Sequence, residues 1–315
     1  MDSRAEDFPK HSDPEYDQRC DRGEYGQGQN QKYGQKYDQQ YDQKYDQSCC
    51  PVCSADSPAK LLFDKTLMGR YRVSYYGCDR CGFIQTEPPY WLPEAYADQG
   101  IAALDTGIVD RNLRLAQQTE RLLQRLRPQA GLCLDFGGGS GLFVRLMRDR
   151  GFEFYRSDLY TDNLFARGFD RSDLPPQTRF DLITAFEVIE HLPQPLQTLE
   201  TLWSQTDLLL FSTDLQPARA ALEDWYYFYP ESGQHISFFS RMTLEVVAQR
   251  LNAQLFSNNR NLHLLMRQSP TQDISALLSP PLWQRGLNRL RRDLRSRKPL
   301  IDRDMAQLRK QALKD

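Results

Sequence analysis

The stretch "LDFGGGSG", residues 134–141, ends an apolar run and opens into a cluster of small residues. The run "LCLDF" reads as a strand, and Leu142 to Arg150 as a helix stopped by Gly151. A turn of four glycines and a serine lets backbone approach a ligand that larger residues would hold off. Its spacing excludes two ligand classes. A dinucleotide fingerprint, G-x-G-x-x-G, needs glycine at the sixth position, which counted from Gly137 is Leu142. A triphosphate-cradling loop ends in Gly-Lys-Ser/Thr, and this stretch has no lysine.

Asp135, two residues ahead of Gly137, narrows the choice. A carboxylate there repels a pyrophosphate but pairs with an ammonium group. S-adenosylmethionine carries that ammonium, together with a carboxylate that backbone N–H groups at a helix start can hold. The next strand, "FEFYRSD", ends at Asp158, twenty-three residues after Asp135. That is close to the spacing of a ribose-binding acid at the end of a second strand.

Strand and helix signals go on alternating, the pattern of an open parallel sheet. "FDLITAFEV" is a strand, and Pro195 opens a helix with Leu196, Leu199 and Leu202 on one face. "DLLLFST" follows as a strand, and Ser240 caps a helix carrying Leu244, Val247 and Leu251. "AQLFSNN" and "NLHLLMR" form a closing hairpin. The expected fold is α/β, a Rossmann-like and mostly parallel sheet whose last strand is antiparallel.

At "LCLDFGGGSG", "FDLITAFEVIEHLPQP" and the closing hairpin, the chain resembles class I S-adenosylmethionine-dependent methyltransferases over roughly residues 105–267. A narrower resemblance is to a bacterial subgroup with an N-terminal zinc ribbon. "YWLPEAY", "DTGIVDRN", "RLMRDRGFEFY", "NLFARGF", "DWYYFYPESGQHISFF" and "NLHLL" carry it. The resemblance implies that Gly137, Gly139 and Gly141 wrap the methionine end of the cofactor. It places Asp158 on the ribose, and Phe186 with Glu187 beside the bound cofactor. Ser140 stands where that subgroup often has an aromatic residue. Resembling proteins modify glycans and small molecules, which implies a small-molecule or sugar-type acceptor.

Cys50-Pro-Val-Cys53 and Cys78-Asp-Arg-Cys81 form two C-x2-C pairs separated by twenty-four residues. Four thiolates at that spacing suit a closed, tetrahedral, structural zinc. Cys49 is a neighbour, but Cys50 has the correct spacing to Cys53. A radical-type C-x3-C-x2-C run fails, because Asp56 stands at its last position. The basic residues between the pairs are few and offset by Asp56, Asp64 and Asp79, so support of the fold is expected before nucleic-acid binding.

Methyl transfer to a hydroxyl needs positioning and a base. Histidine suits that base near neutral pH. His235, in "GQHISFF", is the first candidate, and His191, on the ligand edge of the sheet, the second. Glu187 is the acidic alternative, with Glu190 expected to be structural. His263 is expected to pack in the last strand, and His11 lies in the tail. Trp225, Tyr226 and Tyr227 begin a run of five aromatics that either stacks on an acceptor or packs as a lid.

The remaining segments are of another material. Residues 1–48 carry a Tyr-Asp-Gln repeat nearly free of aliphatic side chains, and are expected to be disordered, with tyrosines able to self-associate. From Pro281 to Asp315, eleven Lys and Arg face four Asp. That excess suits either an anionic partner, RNA or a membrane surface, or a solvated helix laid on the domain. The expected organisation is thus a tail (1–48), a zinc ribbon (49–90), a linking helical segment (91–130), a cofactor-binding domain (131–268) and a basic helical tail (269–315). No apolar run reaches the ~20 residues of a membrane span. The N-terminus has no signal-peptide core. The paired cysteines fit a reducing cytoplasm. The expected function is S-adenosylmethionine-dependent methylation of a small-molecule or sugar-type acceptor. The alternatives are an RNA or protein methyltransferase and a non-catalytic binding protein.

Overall fold

The computed structural model describes residues 49–54, 59–97, 105–268, 274–279 and 300–312. The repeat tail and most of the basic C-terminal segment lie outside these residues. In chain order, β1 (Lys60–Leu67), β2 (Tyr71–Gly77) and β3 (Ile84–Thr86) form an antiparallel meander. The expected strand "YRVSYYGC" is β2, and its alternation buries Val73, Tyr75 and Gly77. Helices α1 (Leu92–Ala97) and α2 (Ile108–Leu126) follow. In α2, Leu115, Thr119, Leu122 and Leu123 recur at helical spacing and are buried.

The glycine loop joins β4 (Leu132–Phe136) to α3 (Leu142–Asp149), and the chain continues through β5 (Glu153–Ser157), β6 (Leu182–Phe186), α4 (Pro195–Trp203) and β7 (Leu208–Ser212). Next come β8 (Ser237–Phe238), α5 (Arg241–Arg250), β9 (Gln254–Ser257), β10 (Leu262–Met266) and a C-terminal helix, α6 (Ile301–Ala312). Six strands form the larger sheet, in the order β5-β4-β6-β7-β10-β9. β5, β4, β6 and β7 pair in parallel, whereas β10 runs antiparallel to both β7 and β9. The α/β sheet with an antiparallel last strand is as the sequence predicts.

Successive strand residues point to opposite faces, so a sheet covered on both sides needs continuous apolar strands. Cys133, Leu182, Leu208, Leu210 and Leu264 pack on one face with Leu122 of α2 and Val144 and Met147 of α3. Their neighbours Leu134, Ile183, Leu209, Phe211 and Leu265 pack on the other with Leu199 of α4 and Leu244 and Val247 of α5. Among the described residues, no helix is long and apolar enough to cross a membrane.

The two-residue β8, which the sequence reading did not anticipate, ties the cysteine segment to the rest. It pairs with β3 and makes the small sheet β1-β2-β3-β8. The same junction is held by the N-terminus of α5. Ser240 Oγ accepts from Thr243 N at 3.0 Å and donates to the Cys81 carbonyl at 3.1 Å, and Thr243 Oγ1 donates to that carbonyl at 2.8 Å. One serine thus caps a helix and anchors a cysteine knuckle. Ser240→Ala should cost about 1–2 kcal/mol, the upper range for a lost N-cap. Urea unfolding followed by circular dichroism measures this, and an unchanged midpoint would show that the cap carries no stability.

Candidate active site

The loop after β4 is shaped by three separate demands. Gly137 has φ +70°, and a Cβ there would lie 2.4 Å from Val188 Cγ2, so both backbone and space require glycine. Gly139 also has a positive φ, +52°, but a Cβ there meets nothing within 4 Å. Its hydrogen faces open space, and both residues line a cavity of about 700 Å³. Gly141 is different. At φ +84° it starts α3 with Asn163 and Ala166 against it, so backbone and packing both require glycine, and it is not among the residues lining either cavity.

The loop is held from below by β5. Gly137 N donates to Ser157 O at 2.7 Å, and Gly139 N donates to Asp158 Oδ2 at 2.9 Å. Asp158 Oδ1 accepts from the N–H groups of Tyr160 and Thr161 at 2.9 and 2.8 Å. A carboxylate offers about four acceptor sites, so one remains for a ligand hydroxyl. Arg156 reaches under the loop from β5, bonding the carbonyls of Gly139 and Thr161 and the Asp170 carboxylate. Asp135 is buried beneath the turn, where Thr184 Oγ1 donates to its Oδ1 at 2.6 Å. Burial pushes its carboxyl up to about 7.

A second cavity, of about 390 Å³, begins on the other side of the loop. The two share Gly137, Gly139, Ser140, Thr161, Glu187 and His191, so they meet across the glycine turn. Glu187 ends β6 in a left-handed conformation, φ 55°, uncommon for a residue with a side chain. Ser212 of β7 holds it there. Its Oγ accepts from Glu187 N at 2.8 Å and donates to Glu187 Oε1 at 2.6 Å. Burial raises the Glu187 carboxyl, and the Arg111 guanidinium partly opposes that.

A short 3-10 turn, Ile189–His191, then presents Glu190 and His191. Glu190 is fully buried, its Oε1 accepts from Tyr227 Oη at 2.7 Å, and its Oε2 has no partner among the described residues. Burial and the nearby Glu187 push its carboxyl well above the ordinary range. His191 Nδ1 lies 3.2 Å from Tyr96 Oη, and its ring meets that of His235 edge to face, centroids 4.8 Å apart. His235 Nδ1 lies 2.7 Å from the Tyr227 carbonyl. A carbonyl can only accept, so Nδ1 carries the proton and Nε2 keeps its lone pair. Burial lowers His235 to about 4 and holds His191 well below the usual histidine range.

The residues expected from sequence do not all reach this place. Gly137, Gly139, Asp135, Phe186, Glu187, His191, His235, Tyr226 and Tyr227 line one or both cavities, and Asp158 lines the larger. Trp225 does not. It packs against Phe228 and Phe238 in the core of the small sheet, and Tyr229 lines the cavity instead. His263 is structural as expected, bonded to Ser257 Oγ at 2.8 Å and Thr213 O at 3.0 Å. Sequence reading missed Arg111, which is paired with Asp105, and Met305 of α6, both of which line the smaller cavity. It also missed Tyr96, on the larger one. "DTGIVDRN" contains Asp105 and Arg111, yet an ion pair at the start of a helix has no signature that separates it from a surface pair.

The four paired cysteines converge. Cys50 and Cys81 Sγ are 3.6 Å apart, as are Cys53 and Cys78, and all four sulfurs lie within 4.8 Å of one another, buried. Cys49 stays outside this group. Four thiolates about 2.3 Å from one tetrahedral ion would be about 3.8 Å apart. The spacing seen here fits that geometry.

A protein-family model described as "methyltransferase domain" matches residues 109–258, the span that holds the glycine turn and the 3-10 turn. Residues 109–258 form a class I, S-adenosylmethionine-dependent methyltransferase domain. No curated protein matches the chain. Solved structures similar to it include a methyltransferase of calicheamicin biosynthesis, with 14% identity over 50% of this chain and 55% of that one, TM-score 0.35. Another is the magnesium protoporphyrin IX methyltransferase of Synechocystis, with 16% identity over 50% and 87%, TM-score 0.35. A third is the plantazolicin methyltransferase, with 13% identity over 66% and 91%, TM-score 0.42. The chain thus spans little more than half the length of the calicheamicin enzyme.

The methyltransferase domain fits its cofactor on local grounds. Asp135 is a buried carboxylate without a cationic partner at hydrogen-bond distance among the described residues, and it lines the smaller cavity, where an ammonium group would satisfy it. Gly139 leaves room that a side chain would fill.

The histidines of the domain give it an acid-sensitive core. Burial lowers His263 to about 4 from the ordinary 6.5. Between those values the unfolded chain binds a proton that the native one resists, so stability present above pH 6.5 is lost as pH falls towards 4. His263→Gln removes that sensitivity. The stability difference between wild type and variant should shrink by about 2–3 kcal/mol from pH 7 to pH 4.5. Parallel pH profiles for the two proteins would contradict the assignment.

Proposed function

We propose that this chain methylates a hydroxyl group of a small-molecule or sugar-type acceptor. The observation that carries the reading is the meeting of the two cavities at Glu187 and His191. One side has the features of a nucleoside site, with the open Gly139 turn and Asp158. The other has proton-handling groups and aromatic rings, in a cavity of small-molecule size.

When bound, S-adenosylmethionine supplies an activated methyl group on a sulfonium. Asp135 is suited to its ammonium, and Asp158 to its ribose. On the acceptor side, Tyr226, Tyr227 and Tyr229 line the cavity and orient the acceptor. His235 Nε2 takes the hydroxyl proton as the oxygen is methylated, leaving an imidazolium whose Nδ1–H stays on the Tyr227 carbonyl. Because burial holds His235 near 4, it is unprotonated throughout the neutral range. The thiol cluster in this reading holds one structural zinc, which fixes the Cys81 carbonyl under α5.

Calorimetry with S-adenosylmethionine and with NAD tests the cofactor assignment, with binding expected for the first alone. Gly139→Asn is the informative variant, since asparagine tolerates positive φ while its side chain fills the cleft. It should abolish cofactor binding and leave the melting temperature within a few degrees. Tight NAD binding would overturn the reading. Given an acceptor, His235→Ala should lower kcat by about 10²–10⁴ with cofactor affinity nearly unchanged, and full turnover in that variant would remove His235 from its role. Metal analysis should find one zinc per chain, lost with Cys50→Ser and Cys53→Ser together.

A further inference from the structure

We propose that Glu190, His191 and His235 form a second metal site, for one divalent transition ion, at the acceptor end of the cleft. One ligand atom from each lies within 4.8 Å of the others. An ion with bonds of about 2.1 Å would separate its ligands by about 3 Å or slightly more. Binding therefore needs the three side chains to draw in by about 1 Å, within reach of small rotations.

Two features give this cluster the character of a ligand set. The first is an unmet need. Glu190 is 0% exposed, yet its Oε2 has no hydrogen-bond partner among the described residues. Buried carboxylate oxygens are normally bonded, so an orphan oxygen on a carboxylate that gathers with two imidazoles calls for a missing cation. The second is the orientation of the ligands by their neighbours. Tyr227 does this twice, donating its hydroxyl to Glu190 Oε1 and accepting the His235 Nδ1 proton on its carbonyl. A metal-binding histidine typically gives its other N–H to a carbonyl in this way, leaving the lone pair for the ion. Tyr96 Oη sits 3.2 Å from His191 Nδ1 and steadies the third ligand.

Charge agrees with the geometry. Glu187 and Glu190 place two carboxylates close together, and Arg111, the guanidinium that acts on Glu187, is already paired with Asp105. Two imidazoles and one carboxylate leave coordination positions open, and this donor set selects manganese, iron, cobalt or zinc over calcium or magnesium.

His191 and His235 line the smaller cavity, so an acceptor oxygen could occupy one open position and lose its proton more readily. That role rests on the function proposed above; the ion binding itself does not. His235 is thus the base of the ion-free protein alone; with the ion bound its Nε2 is a ligand, and the acceptor proton passes to Glu187, which lines the same cavity.

The test is an electron paramagnetic resonance titration of the zinc-loaded protein with Mn²⁺, an ion that four thiolates disfavour. Wild type should remove one equivalent of free Mn²⁺. Glu190→Gln, which keeps the Tyr227 bond, and His235→Asn should each weaken uptake by at least about tenfold, the lower end of what even a ligand's orienting partner is worth. No uptake by folded wild type, or equal uptake in both variants, would overturn the site. Titrating the same samples with S-adenosylhomocysteine separates the two claims. Nucleoside binding without Mn²⁺ uptake removes the ion alone, whereas Mn²⁺ uptake without nucleoside binding removes the function.

Discussion

A single hydroxyl sets the end of β6. Ser212 accepts from the Glu187 amide and donates to the Glu187 carboxylate, and so holds a glutamate in the left-handed region. Such a conformation costs on the order of 1–3 kcal/mol and persists only where its surroundings fix it. The turn reverses the chain directly beyond the sheet edge. The next residues therefore close as a 3-10 turn over the cavity instead of extending the strand.

That turn also determines how the two sheets meet. Ile236 N donates to the Glu190 carbonyl at 2.9 Å, and Thr86 N donates to the Ile236 carbonyl at 3.0 Å. The backbone thus runs from the candidate active site through residue 236 to β3 and the cysteine knuckles. His235 is placed by this path, one residue before the bond to Glu190. The cysteine cluster, though distant from the cavities in sequence, belongs to the same hydrogen-bonded frame, and Arg250 adds a 3.0 Å bond to the Cys53 carbonyl. Loss of order at the thiols would loosen β8 and α5 before it reached the glycine loop.

Much of this was legible in the sequence where local rules act. The glycine turn, the parallel strands, the closing hairpin and the Ser240 cap each follow from nearest-neighbour chemistry, and the cysteine spacing specified a four-sulfur cluster. What escaped depends on distant partners. Two residues cannot announce themselves as a strand, so β8 was invisible until β3 lay beside it. Trp225 and Tyr227 are alike in sequence character and both pack in the core of the small sheet, yet Tyr227 also carries its hydroxyl to Glu190. The bond from Tyr227 to Glu190 joins residues far apart in the chain, so nothing beside Glu190 in sequence announces it. Gly141 read as a ligand residue, but its need for glycine comes from its left-handed backbone and from Asn163 and Ala166.

In the proposed function the nucleoside and the acceptor meet at Glu187 and His191. A crystal structure of the protein with S-adenosylhomocysteine tests this most directly. The ribose should lie on Asp158, the amino group at Asp135 and the thioether sulfur facing the cavity of His191 and His235. A nucleoside bound elsewhere, or one whose sulfur points away from that cavity, would contradict it.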